Sequence, residues 1–331
     1  MSSLKELAKL LGVSISTVSK ALNDADDISE STKIRVRELA EAMNYQPNKM
    51  GAGLRNKKSK TIGVIIPDIL NSFFAEVLFG IEKQCSKKGY DTLVCISNEL
   101  SKNEAEKVRL LKSGSVDGFL ISLAAQTLKS GDINHIKNNI DPQKLVLFDR
   151  LSDQINCDKV GVDDQKITYQ VTKQLIEKGY KKIAFLSSIN NLNLGKLRRK
   201  GYLKALSESS IAKENVMELC LESRSAMHKK LFSWIQKNPV DAVIAADNSS
   251  GIMFQNCLLT QNARKAKKVK VIGFSNDKNA LLTFPKMNYI DQNAGMIGEK
   301  AAALLIKRLE SNSKELPFVD VKIDAKVNFF E

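Results

Sequence analysis

From residue 61 onward the sequence repeats one unit: a short apolar run rich in β-branched residues, then an amphipathic stretch of helical length. The runs are TIGVIIP (61–67), DTLVCIS (91–97), DGFLI (117–121), LVLFD (145–149), KKIAFLS (181–187), DAVIAA (241–246) and VKVIGF (269–274). Runs apolar on both faces do not suit half-solvated strands, but they suit parallel strands covered on both sides. The stretches between them, such as 73–88, 103–113, 164–178, 196–209 and 250–262, supply the covering helices. About 270 residues of this alternation are enough for two α/β lobes.

Residues 1–46 follow a different period. Ser3 with Glu6 makes a capping box, followed by Leu4, Leu7, Ala8 and Leu11 at helical spacing. Gly12 offers a left-handed stop, and Ser14 caps a second helix whose Val18, Ala21 and Leu22 face the first. A third helix follows Ser29, runs through Ile34, Val36, Leu39, Ala40 and Met43, and stops at Asn44. The segment 47–60, PNKMGAGLRNKKSK, has five basic side chains and no acid, and reads as a basic linker between domains.

Charge narrows the partners. The chain of 331 residues has a formal net charge of +14, which suits either a polyanionic partner or a surface charged for solubility alone. The first 46 residues are nevertheless close to neutral, so the excess sits in the linker and on the body beyond it. No run approaches the roughly 18 apolar residues of a membrane span. The start, MSSLKELAKLLG, lacks the apolar core of a signal peptide, so a cytoplasmic protein is expected. Five cysteines (Cys85, Cys95, Cys157, Cys220 and Cys257) form no CxxC pair, which points to reduced thiols without a disulfide frame or metal site. The two histidines, His135 and His228, lie in contexts typical of exposed helix or loop. No GxSxG, HExxH or P-loop pattern is present, so no catalytic residue, cofactor or metal is expected. The basic run Arg264–Lys268 reads as a solvated helix end or loop and not as a second DNA site.

Residues 4–22, LKELAKLLGVSISTVSKAL, have the spacing of a helix-turn-helix, whose second helix enters the major groove of DNA. The order GVSISTVSKALN, ISESTKIRVRELAEAMNYQPN, LR and TIGVIIPDILNSFFAEVLFGIEKQCSKKGY resembles the lactose repressor (LacI/GalR) family of bacterial transcription regulators. The resemblance continues through Val116-Asp117-Gly118, Phe148-Asp149-Arg150, Val162-Asp163, Arg198 to Gly201-Tyr202, Ile272-Gly273-Phe274 and Asp291-Gln292. It implies an α plus α/β chain: a helix-turn-helix headpiece (1–46), a hinge helix and basic linker (47–60), and a two-lobed, periplasmic-binding-protein-like effector and dimerisation core (61–331). The N-lobe would comprise about 61–160 plus 291–321, and the C-lobe about 161–290 plus 322–331, with crossings near 160, 290 and 322.

Site residues follow from the same resemblance. It implies base reading by Ile15, Ser16 and Lys20, and phosphate contacts from Ser14, Thr17, Ser19, Asn23, Tyr45 and Asn48. The segment 48–55 resembles the family's hinge helix, and Leu54 matches the leucine that wedges open the centre of the operator. Gly51-Ala52 stands where the family usually has Ala-Arg, with Lys49 or Arg55 as the partial replacement, and the resemblance implies Arg55 and Lys57 as phosphate contacts beside Leu54. The implied effector site comprises Phe73, Phe74, Ser122, Asp149, Arg198, Asp247, Ser275 and Asn276. Ser275 stands where relatives often carry an aspartate, and Leu192 and Leu194 where some carry polar contacts.

The function so implied is a cytoplasmic, homodimeric repressor of carbohydrate-utilisation genes, nucleoid-associated when bound to operator. It would bind a pseudo-palindromic double-stranded DNA operator under control of a saccharide or derivative, without a membrane partner. Corepression or activation by a non-sugar effector is the alternative within this class, and a small-molecule binding protein for transport is the alternative outside it.

Overall fold

The computed structural model describes residues 3–22, 24–45, 59–211, 216–220, 224–261, 268–313 and 316–330. They fall into two units, one ending at Ser59 and one beginning at Lys60. In the first, α1 (Leu4–Leu11) opens on a complete capping box. Ser3 Oγ accepts from the Glu6 N–H (3.2 Å), and the Glu6 carboxylate accepts from the Ser3 N–H (2.9 Å). Gly12 closes the helix at φ +68°, where a β-carbon would be strained. Ser14 precedes α2 (Ile15–Leu22) and accepts from the Thr17 N–H (3.0 Å), while Ser29 caps α3 (Glu30–Ala42). Leu7, Ala8, Val18, Ala21, Val36 and Ala40 form the buried centre of this bundle.

The second unit alternates as the apolar runs dictate. Its elements are β1 (Thr61–Ile66), α4 (Ser72–Lys87), β2 (Asp91–Ile96), α5 (Ser101–Lys112), β3 (Gly118–Ile121), α6 (Ala125–Ser130), α7 (Asn134–Lys137), β4 (Leu145–Phe148) and β5 (Asp158–Val162). There follow α8 (Asp164–Glu177), β6 (Ile183–Ser187), α9 (Asn193–Ser207), β7 (Met217–Cys220), α10 (Arg224–Lys237), β8 (Ala242–Ala245) and α11 (Asn248–Gln261). The last are β9 (Lys270–Phe274), α12 (Asp277–Leu281), β10 (Asn288–Asp291), α13 (Ala294–Glu310), β11 (Asp320–Ile323) and β12 (Lys326–Asn328). The sequence pattern does not single out β5, β7, β10, β11 or β12. These short segments carry charged or polar residues among the apolar ones, and they are strands because neighbours pair with them.

Two six-stranded sheets result, in the orders β11-β5-β4-β3-β1-β2 and β12-β10-β9-β8-β6-β7. Among the described residues every pairing is parallel except that of β12 with β10. The chain leaves the first sheet after Val162, returns to it after Asp291, and crosses again between Ile323 and Lys326. Strand alternation divides the packing: Ile62, Val64 and Ile66 of β1 join a core that continues through both lobes, while Ile65 turns to the opposite layer with Leu111 and Phe119. On the first sheet α4 and α13 lie against each other so closely that a β-carbon on Gly298 would sit 2.0 Å from the Val77 carbonyl oxygen. Only hydrogen fits there. That packing fixes α4, whose first turn reaches the cleft between the lobes.

Candidate functional site

Two places bring the expected residues together. On the headpiece, Ser14, Ser16 and Lys20 are exposed, Ile15 is 44% exposed, and Thr17 and Ser19 are half-buried. The inward face of α2 is taken by Val18 and Ala21, so helical geometry turns Ile15 and Ser16 outward. Lys20 donates to the exposed Asp27 carboxylate, and this bond holds the Asp27 carboxyl below its ordinary range. Tyr45 packs its ring against the bundle core while its N–H donates to the Ala40 carbonyl (2.8 Å). Asn23, Asn48, Leu54, Arg55, Lys57 and the hinge segment lie outside the described residues.

The second place is a cavity of about 270 Å³ between the two sheets, at the carboxyl ends of β1, β4, β6, β8, β9 and β10. Phe73, Phe74, Asp149, Arg198, Asp247, Ser275 and Asn276 all line it. Phe73 meets Phe74 edge to face at 5.3 Å; Phe73 remains half-buried at the wall, whereas Phe74 is 1% exposed and belongs chiefly to the core. Arg198 is 3% exposed and stacks over the Phe274 ring at 3.5 Å. Its Nε donates to Asp164 (2.7 Å) and its Nη1 to the Ala246 carbonyl (2.6 Å), while Nη2 has no hydrogen-bond partner among the described residues. Asp247 accepts from the N–H and Oγ of Ser188 (3.1 and 2.9 Å) and of Ser250 (2.9 and 2.5 Å). Its carboxylate therefore ties the end of β6 to the start of α11, a structural task that leaves it little capacity for a ligand.

Two hydrogen bonds span the lobes at the cavity. Asn276 Nδ2 donates to Glu76 (2.6 Å), and Asn279 Nδ2 donates to Ser72 Oγ (2.8 Å). Ser275 Oγ turns to Asn248 Oδ1 (2.7 Å) within its own lobe. Asp149 occupies a left-handed backbone conformation (φ +57°). Burial raises its carboxyl to about 6; the nearby Asp164 carboxylate adds to this, and the charges of Arg150 and Arg198 do not cancel it.

Ser122 is a correction: it does not line the cavity. It lies fully buried just beyond β3 with its N–H bonded to the Ile65 carbonyl (3.0 Å), outside the cavity lining. Leu123 N–H reaches the Arg150 carbonyl (3.5 Å) and Ala124 N–H the Glu104 carboxylate (2.6 Å). Conversely, Glu76, Asn279 and Ile189 line the cavity and were not anticipated. Glu76 follows Phe73 by three residues on α4, the spacing that places two side chains on one helix face, so a signal for it was present.

The expectation of an exposed histidine is also corrected for His135. It is largely buried and bonded to Glu104 (2.8 Å), a carboxylate that also accepts from Thr127 Oγ1 (2.7 Å). The His228 side chain and the run Arg264–Lys267 lie outside what the structure describes. Among the described residues, no cluster of His, Cys, Asp and Glu is placed to hold a metal, and no helix is long and apolar enough to cross a membrane. All five cysteines are unpaired, and burial pushes the Cys85 and Cys157 thiols up to about 12, so they do not supply thiolate near neutral pH.

Comparison with known proteins covers both places. Residues 3–48 match the bacterial regulatory proteins of the lacI family, and residues 59–328 match the periplasmic binding proteins and sugar binding domain of the LacI family. The transcriptional regulator RegA of Clostridium saccharobutylicum is 32% identical over 320 residues, covering 95% of this chain and 94% of its own. The transcriptional repressor PurR of Vibrio atlanticus (strain LGP32) is 27% identical over 318 residues, again 95% of this chain and 94% of its own. The fold superimposes on the lac repressor dimer bound to operator and an anti-inducer with a TM-score of 0.83, at 18% identity, covering 99% of this chain and 98% of that one. It also superimposes on a CelR–cellobiose complex with a TM-score of 0.70, at 20% identity and 99% coverage of both chains. An N-terminal DNA-reading bundle and a two-lobed sensor in this order make the chain a transcriptional regulator, and it belongs to the LacI family.

Proposed function

We propose that this regulator is a homodimeric, cytoplasmic repressor of carbohydrate-utilisation genes that releases a pseudo-palindromic operator when a saccharide-type effector occupies the cleft. The observation that carries this reading is the polar cavity bridged by Asn276–Glu76 and Asn279–Ser72, because a ligand there bears on both lobes at once. A lac repressor dimer bound to operator and a cellobiose-bound CelR are among the structures of like fold, which supports DNA and sugar as the partners. The exposed Ile15, Ser16 and Lys20 are the proposed base readers. Ser14, Thr17, Ser19 and Tyr45 are proposed to hold phosphates, and Leu54 with Arg55 and Lys57 to engage the operator centre.

The mechanism is a linkage. The cleft ligand shifts the lobes between two arrangements, and it weakens operator binding by its preference for the arrangement that does not bind DNA. The test selects DNA from a random-duplex pool with the full-length chain, then titrates the selected duplex in the presence of mono- and oligosaccharides. A two-fold symmetric consensus released by a sugar is expected. An asymmetric consensus would sink the dimeric reading, and tighter binding with ligand would make the effector a corepressor.

A further inference from the structure

The charges around the cavity do not balance. Its lining contributes four carboxylates (Glu76, Asp149, Asp247 and Asp291) and two arginines (Arg150 and Arg198), with no lysine or histidine. Both arginines are already engaged by other carboxylates. Arg150 makes two hydrogen bonds to Glu99 (2.5 and 2.8 Å), and Arg198 is bonded to Asp164. The cavity wall is therefore acidic in a protein whose overall charge is +14.

The four carboxylates differ in what they already hold. Asp247 receives four donors from Ser188 and Ser250, Glu76 receives the Asn276 amide, and Asp291 receives the Asn293 N–H (2.8 Å). Among the described residues, the Asp149 side chain receives none. The groups around it are Arg150, Glu99, Asp164 and Arg198, which pair with one another and leave its charge unmatched. A carboxylate so placed has no donor of its own, and the two arginine charges near it are shared with Glu99 and Asp164.

We propose that the cleft takes a small polyhydroxylated cation, a saccharide bearing a protonated amino group, with its ammonium against the Asp149 carboxylate. This rests on the reading of the cleft as the effector site. An ammonium supplies the missing charge and donors together, and the amides of Asn276 and Asn279 with the half-buried Phe73 suit the hydroxyls and apolar face of a sugar ring. A sugar acid or sugar phosphate would meet four carboxylates, with Arg150 held by Glu99 and the charge of Arg198 already offset by Asp164. The raised Asp149 carboxyl, at about 6, is the expected signature of that unmatched charge.

Thermal shift and calorimetry on the full chain at about pH 7.5 compare glucosamine, N-acetylglucosamine, glucose and glucuronic acid, with the galacto and manno series in parallel. The amine of one series is expected to bind about tenfold or more tightly than its acetylated and neutral forms, with no binding of the acid. Asp149→Asn is expected to erase the preference for the amine. A neutral sugar or an acid that binds as tightly as its amine overturns the proposal. If no sugar binds in any charge form, the saccharide reading of the cleft fails as well, and a ligand-free measurement decides the charge argument separately. Ligand-free Asp149→Asn is expected to raise Tm near pH 8, with the gain shrinking as pH falls through about 6 and gone only well below pH 3.8, where both states are protonated. An unchanged or lowered Tm near pH 8 would show that the carboxylate has a partner after all.

Discussion

In the headpiece, the side chains placed to meet a partner are those left over after the core has taken its share. In the sensor body they are held by groups far away in the sequence. Ile15 and Ser16 point outward because Val18 and Ala21 of the same helix point inward. Arg198 reaches the cavity because Asp164 and the Ala246 carbonyl, 34 and 48 residues away, fix its guanidinium. One arrangement keeps its groups hydrated and adaptable, as a groove-reading face needs. The other removes them from water and orients them beforehand, at the risk that one lost partner strands a buried charge.

That contrast can be broken most forcefully at Arg308. It bonds Asp158 through Nε (2.5 Å) and Nη2 (2.6 Å), with side chains 4% and 1% exposed. Arg308→Ala leaves Asp158 buried without its counter-ion and is expected to cost the body about 3–5 kcal/mol. Differential scanning calorimetry of the full chain should show the body transition fall while the headpiece transition stays in place. If both fall together, the two units do not melt independently. Leu7→Ala is the reciprocal experiment. It removes the centre of a six-residue core and is expected to cost the headpiece about 2–5 kcal/mol, abolishing operator binding with no change in the body transition.

Smaller effects sharpen the comparison. Asp27→Asn frees Lys20 from its exposed partner and removes an acid from the proposed reading face, so operator affinity should rise by a few-fold, an effect of the size expected for surface charges. Fluorescence anisotropy at two salt concentrations would show it, and a loss of affinity would mean that Asp27 positions Lys20 for the groove. The smallest effect is expected at Asp24, whose carboxyl is held below its ordinary value by hydrogen bonding from Lys33, with the charges of Lys33 and Arg37 adding to this. A depressed carboxyl contributes stability above its unfolded pKa and loses it as pH falls through the folded value. Asp24→Asn should therefore lower headpiece Tm slightly at neutral pH and make no difference well below pH 3.8.

How legible each unit was follows from the same physics. The Ser3–Glu6 box and the Gly12 stop are local decisions made within a few residues, and the sequence shows them directly. The doubly covered strands were legible because burial on both faces leaves an unbroken apolar run; β10, written NYID, was not, since its place depends on β9 and β12. In the cleft, position proved easier to read than state. Arg198 and Asp247 line the cavity, but nothing near them in sequence announces that Asp164 already holds the arginine or that Ser188 and Ser250 already fill the aspartate. Ser122 failed because a strand end identifies a candidate loop without saying which way it turns.

The antiparallel pairing of β12 on β10 closes one edge of the second sheet. Residues 326–328 cover what would otherwise be the open edge of the second sheet, and the Phe330 N–H reaches back to Asn288 Oδ1 (2.8 Å). A change that removed only residues 326–330 would spare the exposed face of α2 and the cavity lining. It would nevertheless expose unpaired backbone along Asn288–Asp291, a ready template for pairing with another copy. A loss-of-function allele there would be lost to aggregation while its DNA-reading and ligand-lining side chains were all still encoded.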